Sequence, residues 1–175
     1  MMFSTKAEYG IRVMAHLARQ AEADPGDPET PGGQPIPLGS IADAEALPLA
    51  YLEHLVQRLR RAGLVESRRG AHGGYTLARA PDGITMAEVV EALEGEIAPI
   101  ECISAAPDGA LVCVREADLA AEPCPTKLLW TRVQGSIVRT LTEMTLADLA
   151  QPARRPGRTR TTARDETRPR EVTAT

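Results

Sequence analysis

Apolar residues recur at helical spacing over residues 5 to 22, where Tyr9, Ile11, Val13, Met14, Leu17 and Ala18 fall mostly on one face. Lys6, Glu8, Arg12 and Arg19 lie on others. The pattern predicts a first helix that stops at "ADPGDPETPGGQPIP". The prolines and glycines of that stretch predict an exposed loop over 24–37, dispensable to the core. Ser40, with Asp43 three residues on, reads as the N-cap of a short helix running to Ala46, after which Leu47 and Pro48 interrupt. Proline suits the first turn of a new helix. "PLAYLEHLVQRLRRAG" therefore predicts a helix over 48–62, with Leu52, Leu55, Val56 and Leu59 inward and Gly63 as its stop.

Beyond Gly63 the period shortens to two. "LVESRR" and "YTLAR" alternate as short strands, and "GAHGG" between them supplies residues that tolerate positive φ, so the stretch predicts a β-hairpin whose glycines keep its tip narrow. Thr85 and Glu88 then form a capping-box pattern that opens "MAEVVEALEG", ended by Gly95. Residues 96–125 are polar and interrupted by proline. A long helix follows over about 126–143, in which Leu128, Leu129, Val133, Ile137, Val138, Leu141 and Met144 recur at three and four. That apolar surface is generous for a peripheral helix, and a second copy of the chain is the expected cover. "TLADLA" adds a final turn capped by Thr145, and the segment from Pro152, almost without apolar residues, is expected to be disordered. No internal repeat has a useful period.

These elements predict a mainly α fold with a small β-wing: a winged helix-turn-helix plus a long C-terminal dimerisation helix. The expected organisation is a DNA-binding domain over 1–95, a cysteine-bearing segment over 96–125, a dimerisation helix and final turn over 126–151, and a tail over 152–175. A chain of 175 residues is too short for a large multidomain enzyme. It contains no run of eighteen apolar residues, and its start lacks the order of a signal peptide, so a cytoplasmic protein with no membrane association is expected.

Charge sharpens the picture. The net charge is −4, but residues 152–175 carry seven Arg against Asp165, Glu166 and Glu171, so the remaining 151 residues hold 13 basic and 21 acidic side chains. Within that acidic body Arg58, Arg60, Arg61, Arg68 and Arg69 cluster with only Glu66 as counter-charge. Taken alone, such a run reads as a solvated face. In helix, turn, helix and hairpin order it reads as a DNA-binding surface. A recognition helix over 48–62 exposes Ala50, Tyr51, Glu53, His54 and Gln57 near its start; Gln pairs with adenine and Glu accepts from cytosine in the major groove. Arg58, Arg60 and Arg61 then lie towards phosphates, while Arg68 and Arg69 reach backbone or minor groove. His72, in the wing tip, serves the turn or a phosphate. Packing or surface roles outrank metal binding for His16 and His54. No coherent nucleophile and base, phosphate loop or metal-hydrolase motif is present, so no enzyme is expected.

The blocks "STKAEYGIRVMAHLA", "YLEHLVQRLRRAGLVESRRGAHGGY", "ITMAEVVEALEG" and "LWTRVQGSIVRTLTEMTLADL" resemble the winged-helix transcriptional regulators of the IscR and NsrR type over about residues 3–150. The resemblance implies a homodimer on double-stranded, pseudo-palindromic operator DNA. Tyr51, Glu53 and His54 match base-reading positions, Arg69 matches the wing arginine, and Lys6 falls in a stretch that approaches phosphate.

Cys102, Cys113 and Cys124 are separated by ten residues each. An odd set in a reducing compartment argues against a disulfide framework and leaves packing, reactivity or metal ligation. Three soft thiolates suit an iron-sulfur cluster or zinc and leave one position of a four-coordinate site open. The resemblance implies an iron-sulfur cluster (2Fe-2S or 4Fe-4S) held by these three residues, with Glu8 of the partner subunit at the position of the variable fourth ligand. Family members usually space the three more closely. The expected function is thus a regulator whose cluster senses iron-sulfur status, nitric oxide or redox state. The alternative is a cluster-free winged-helix repressor answering to a small molecule or partner protein.

Overall fold

The computed structural model describes residues 3–24, 32–70, 73–98, 100, 103–105, 111–113 and 124–150. Helix α1 (Thr5–Ala23) is the central element, burying Val13, Met14, Leu17 and Ala18. Ser4 caps it, its hydroxyl accepting from the Lys6 N–H at 3.1 Å. α2 (Leu38–Glu45) and α3 (Leu49–Arg61) form the helix-turn-helix. The turn between them is set by Ala46, a non-glycine residue in the left-handed region at φ 52°, followed by a Leu47 N–H to Ala42 carbonyl bond of 2.9 Å.

α2 begins at Leu38, with Pro37 as its N-cap, so Ser40 is not the cap: it lies inside the first turn. Pro48 is likewise the N-cap of α3 rather than a first-turn residue. All four apolar residues expected to face inward from α3 are buried. Gly63 ends the helix at φ 70°, with its own N–H on Arg60 and that of Leu64 on Leu59, the paired bonds of a Schellman stop.

The wing pairs β1 (Val65–Arg68) antiparallel with β2 (Gly74–Leu77), Val65 opposite Leu77 and Arg68 opposite Gly74. The proline-rich stretch is not dispensable at its C-terminal end. Ile36 and Tyr75 exchange both backbone bonds, at 2.9 and 2.8 Å, and so add a third pairing to the wing. The buried Thr76 hydroxyl lies 2.5 and 3.0 Å from the carbonyls of Gly32 and Gly33, both buried. This contact also changes the reason for one wing glycine: a Cβ on Gly74 would run into the Ile36 carbonyl, so close backbone approach explains it better than a narrow tip.

A short 3-10 turn (Pro81–Gly83) leads to α4 (Met86–Glu94), and the Thr85–Glu88 capping box is present in both directions. α6 (Leu146–Ala150) opens as expected, the Thr145 N–H and hydroxyl both meeting Asp148, at 2.8 and 3.1 Å. Residues 144–146 pair with 84–86, and Leu146 is fully buried against the core. The cysteine segment contains an unexpected antiparallel hairpin, β3 (Ile103–Ala105) with β4 (Leu111–Cys113).

α5 (Lys127–Glu143) is packed unlike the others. Gln134 is its sole buried residue, and its Oε1 has no partner among the described residues. Leu128 is 64% and Leu129 55% exposed, and Val133, Ile137, Val138 and Leu141 are half-buried. Between α1, α4 and α5 lies an open apolar cavity of about 450 Å³ lined by Phe3, Ala7, Ile11, Val90 and Leu141, with Glu8 among its lining residues.

Candidate nucleic-acid interface

The inward stripe of α3 decides what its other face shows. With Leu52, Leu55, Val56 and Leu59 in the core, Glu53, His54, Gln57, Arg58, Arg60 and Arg61 are all exposed. Three arginines fall in the last turn, where the helix dipole favours positive charge. β1 buries only Val65 and leaves Glu66, Ser67 and Arg68 exposed, and Arg69 follows them on the surface. Arg60 donates to the Ser67 hydroxyl at 3.2 Å, so the end of α3 and the wing strand adjoin and their cations form one surface. His72 lies outside the described residues.

Three residues expected at this surface also make contacts inward. Tyr51 is half-buried and meets Tyr9 edge-on, the rings 5.8 Å apart at 89°, so it fastens the start of α3 to α1. Arg58 donates to the Leu93 carbonyl at 3.2 Å. Lys6 pairs with Glu94 at 3.0 Å, and that carboxylate also accepts from the N–H groups of Ser4 and Ala7 and from the Ser4 hydroxyl. Burial by itself would raise the Glu94 pKa; the Ser4 hydroxyl, Lys6 and the Ser4 N–H outweigh it and hold the group at about 2.

Sequence reasoning missed Glu45, which sits at the end of α2 immediately before the tight turn. Arg12 at 3.2 Å, His16 at 3.0 Å and Arg19 at 2.8 Å converge on it from α1. Burial pushes its pKa up, but hydrogen bonds from His16 and Arg12 and the charge of Arg19 bring it below the ordinary carboxylate value. This junction fixes the helix-turn-helix to α1. The signal was available: positions 12, 16 and 19 share one helical face.

The thiols are placed less completely. Cys124 is half-exposed just before α5, its Sγ 3.4 Å from the Thr126 hydroxyl. Cys113 closes β4 opposite Ile103, the residue that follows Cys102 in the chain, and Cys102 itself lies outside the described residues. Glu8 is exposed on α1. Among the described residues no group of three His, Cys, Asp or Glu side chains is placed to hold a metal ion, and no helix is long and apolar enough to cross a membrane.

Residues 3–152 match the Rrf2 family, described as iron-dependent transcriptional regulators. The chain is similar to the HTH-type transcriptional regulator CymR of Bacillus subtilis (strain 168), 37% identical over 150 residues that cover 86% of this chain and 90% of the relative. It is also similar to the HTH-type transcriptional regulator IscR of Erwinia tasmaniensis, 30% identical over 149 residues, 85% of this chain and 78% of the relative. Among solved structures, CymR, the global cysteine regulator of B. subtilis, superposes with a TM-score of 0.62 at 37% identity, covering 86% of this chain and 96% of that one. IscR of T. potens does so with a TM-score of 0.62 at 34% identity, covering 85% of each chain. These relatives are named as regulators of transcription, not as enzymes.

Proposed function

The chain belongs to the Rrf2 family of transcriptional regulators, and on that premise we propose that it acts in the cytoplasm as a homodimer on double-stranded operator DNA. The observation that carries the reading is the continuous exposed surface from Glu53 to Arg61 on α3 and from Arg68 to Arg69 at the wing. Glu53, His54 and Gln57 read base edges in the major groove, with Tyr51 setting the angle of the helix. Arg60, Arg61, Arg68, Arg69 and His72 grip phosphates; Arg58 and Lys6 lie at the margin and supply the same contact when released from α4. A second copy covers the exposed apolar residues of α5, placing two recognition helices on two half-sites.

Cys102, Cys113 and Cys124 would hold an iron-sulfur cluster (2Fe-2S or 4Fe-4S), with Glu8 of the partner subunit as the candidate fourth ligand. The fit rests on donor chemistry and on the backbone. Three thiolates are soft ligands, the β3–β4 register brings Cys113 opposite the neighbour of Cys102, and α5, which Cys124 precedes, touches β3. When bound, the cluster supplies a centre that responds to iron-sulfur status, nitric oxide or redox state. The chain's own part is to tie the cysteine-bearing segment to the start of α5, the helix on which the spacing of the two recognition helices, and with it DNA affinity, would depend.

A cluster-free winged-helix repressor answering to a small molecule or partner protein is the second reading, favoured by the 37% identity to a regulator named for cysteine. Anaerobic purification with iron and acid-labile sulfide analysis, coupled to footprinting before and after cluster removal, separates the two. The expected result is a coloured protein whose operator protection depends on the cluster. A colourless protein without iron or sulfide that protects its operator normally establishes the second reading, and failure to prefer any promoter fragment overturns both.

A further inference from the structure

Two cations, Lys6 of α1 and Arg58 of α3, are drawn to the end of α4. Lys6 Nζ lies 3.0 Å from Glu94 Oε2, and Arg58 donates to the carbonyl of Leu93, the adjacent residue. A helix C-terminus favours such partners, because its last carbonyls lack internal donors and its dipole is negative there. Glu94 is also held from behind, accepting from the Ser4 N–H at 3.0 Å and the Ala7 N–H at 3.2 Å. It cannot follow Lys6 outward. The lysine side chain is 35% exposed and the carboxylate 15%, so an incoming anion reaches the ammonium before it reaches the partner that holds it.

We propose that Glu94 competes with DNA phosphate for Lys6, holding this cation at the end of α4 until a duplex displaces it. The proposal rests on the reading that α3 and the wing face DNA, since the Arg58–Leu93 contact puts Lys6 at the margin of that surface. Glu94 is a positioning residue here: it acts through Lys6 and touches no base.

Glu94→Gln tests this, because glutamine keeps the shape and an acceptor oxygen for Ser4 and Ala7 while removing the charge. With a short duplex of random sequence, the variant is expected to bind several-fold more tightly at low salt. Because the wild type must first break the Lys6–Glu94 pair, and salt weakens that pair, the gain should shrink as salt rises, steepening the slope of log affinity against log salt by less than about 0.9, the value of one whole phosphate contact. Adding Lys6→Met should abolish both changes. If Glu94→Gln leaves affinity and slope unchanged while Lys6→Met alone lowers the slope, Glu94 does not compete and the proposal fails, although the DNA-facing reading stands. If Lys6→Met also changes nothing, this corner does not meet DNA and that part of the functional reading fails with it. Should the glutamine variant not fold, the wild-type protein still decides. Lys6 and Lys127 are its two lysines, so their ammonium NMR signals are assigned with Lys6→Met. A shift of the Lys6 signal on adding the duplex is expected, and an unchanged one overturns the proposal.

Discussion

Glu94 joins two roles in one side chain, the observed cap of α1 and the proposed restraint of Lys6. Its carboxylate completes the cap of α1 from a different helix, and its pKa of about 2 against an ordinary 4.5 means that the ionised form is favoured by folding. The sign follows from linkage: with the folded pKa depressed, the contribution is present above pH 4.5 and is lost as pH falls through the window down to about 2. Glu94→Gln lacks this dependence. The stability gap between wild type and variant, measured by urea denaturation, is therefore expected to narrow between about pH 7 and about pH 3; a gap that stays constant means the ionised group contributes nothing. The same variant is expected to bind DNA more tightly while being less stable at neutral pH, a pairing that general destabilisation does not produce. None of this was legible in "EALEG". The residue reads there as the last turn of an amphipathic helix, and only packing brings it to Ser4.

Among the elements, the wing is the clearest case of partial legibility. Alternation in "LVESRR" and "YTLAR" and the glycines between them suffice for two strands joined as a hairpin, because these depend on neighbours in the chain, while the pairing of Val65 with Leu77 is the structure's own. The pairing of Ile36 with Tyr75 is not legible there, since the two are far apart in sequence and Ile36 lies within the stretch 24–37 that reads as an exposed loop. Gly74→Ala probes that junction. A Cβ there meets the Ile36 carbonyl, so the substitution should cost about 1–3 kcal/mol, as overpacking does. It should also weaken binding to all duplex sequences alike, read by thermal unfolding and by affinity for specific and random DNA. Unchanged stability would remove the third pairing from the account. The hairpin of β3 and β4 escaped notice for a related reason: three-residue strands carry too little alternation to stand out from a polar segment.

For the molecule as a whole, α5 is the helix whose apolar face is left most open. Its apolar residues at three and four were read correctly as a helix, and the structure leaves Leu128 and Leu129 more than half exposed while burying the polar Gln134. An arrangement of this kind loses hydrophobic stabilisation unless another surface covers it. Replacing Leu128 and Leu129 together with glutamate should give a folded monomer by sedimentation. Its affinity for a full operator should fall to that of a single half-site, whereas a variant that remains dimeric moves the interface elsewhere. Local order was written in the sequence: helix periods, the Thr85 capping box, the Gly63 stop, the arginines of α3 and the wing, and with them the winged helix-turn-helix. Each depends on residues within a few positions of one another, where geometry is set by the backbone itself. Folding alone decided which charged groups meet: Glu45 with Arg12, His16 and Arg19, Glu94 with Lys6, and Arg58 with the end of α4. Those partners are many residues apart, and what joins them is the burial of shared apolar faces, which brings distant side chains together without regard to their order in the chain.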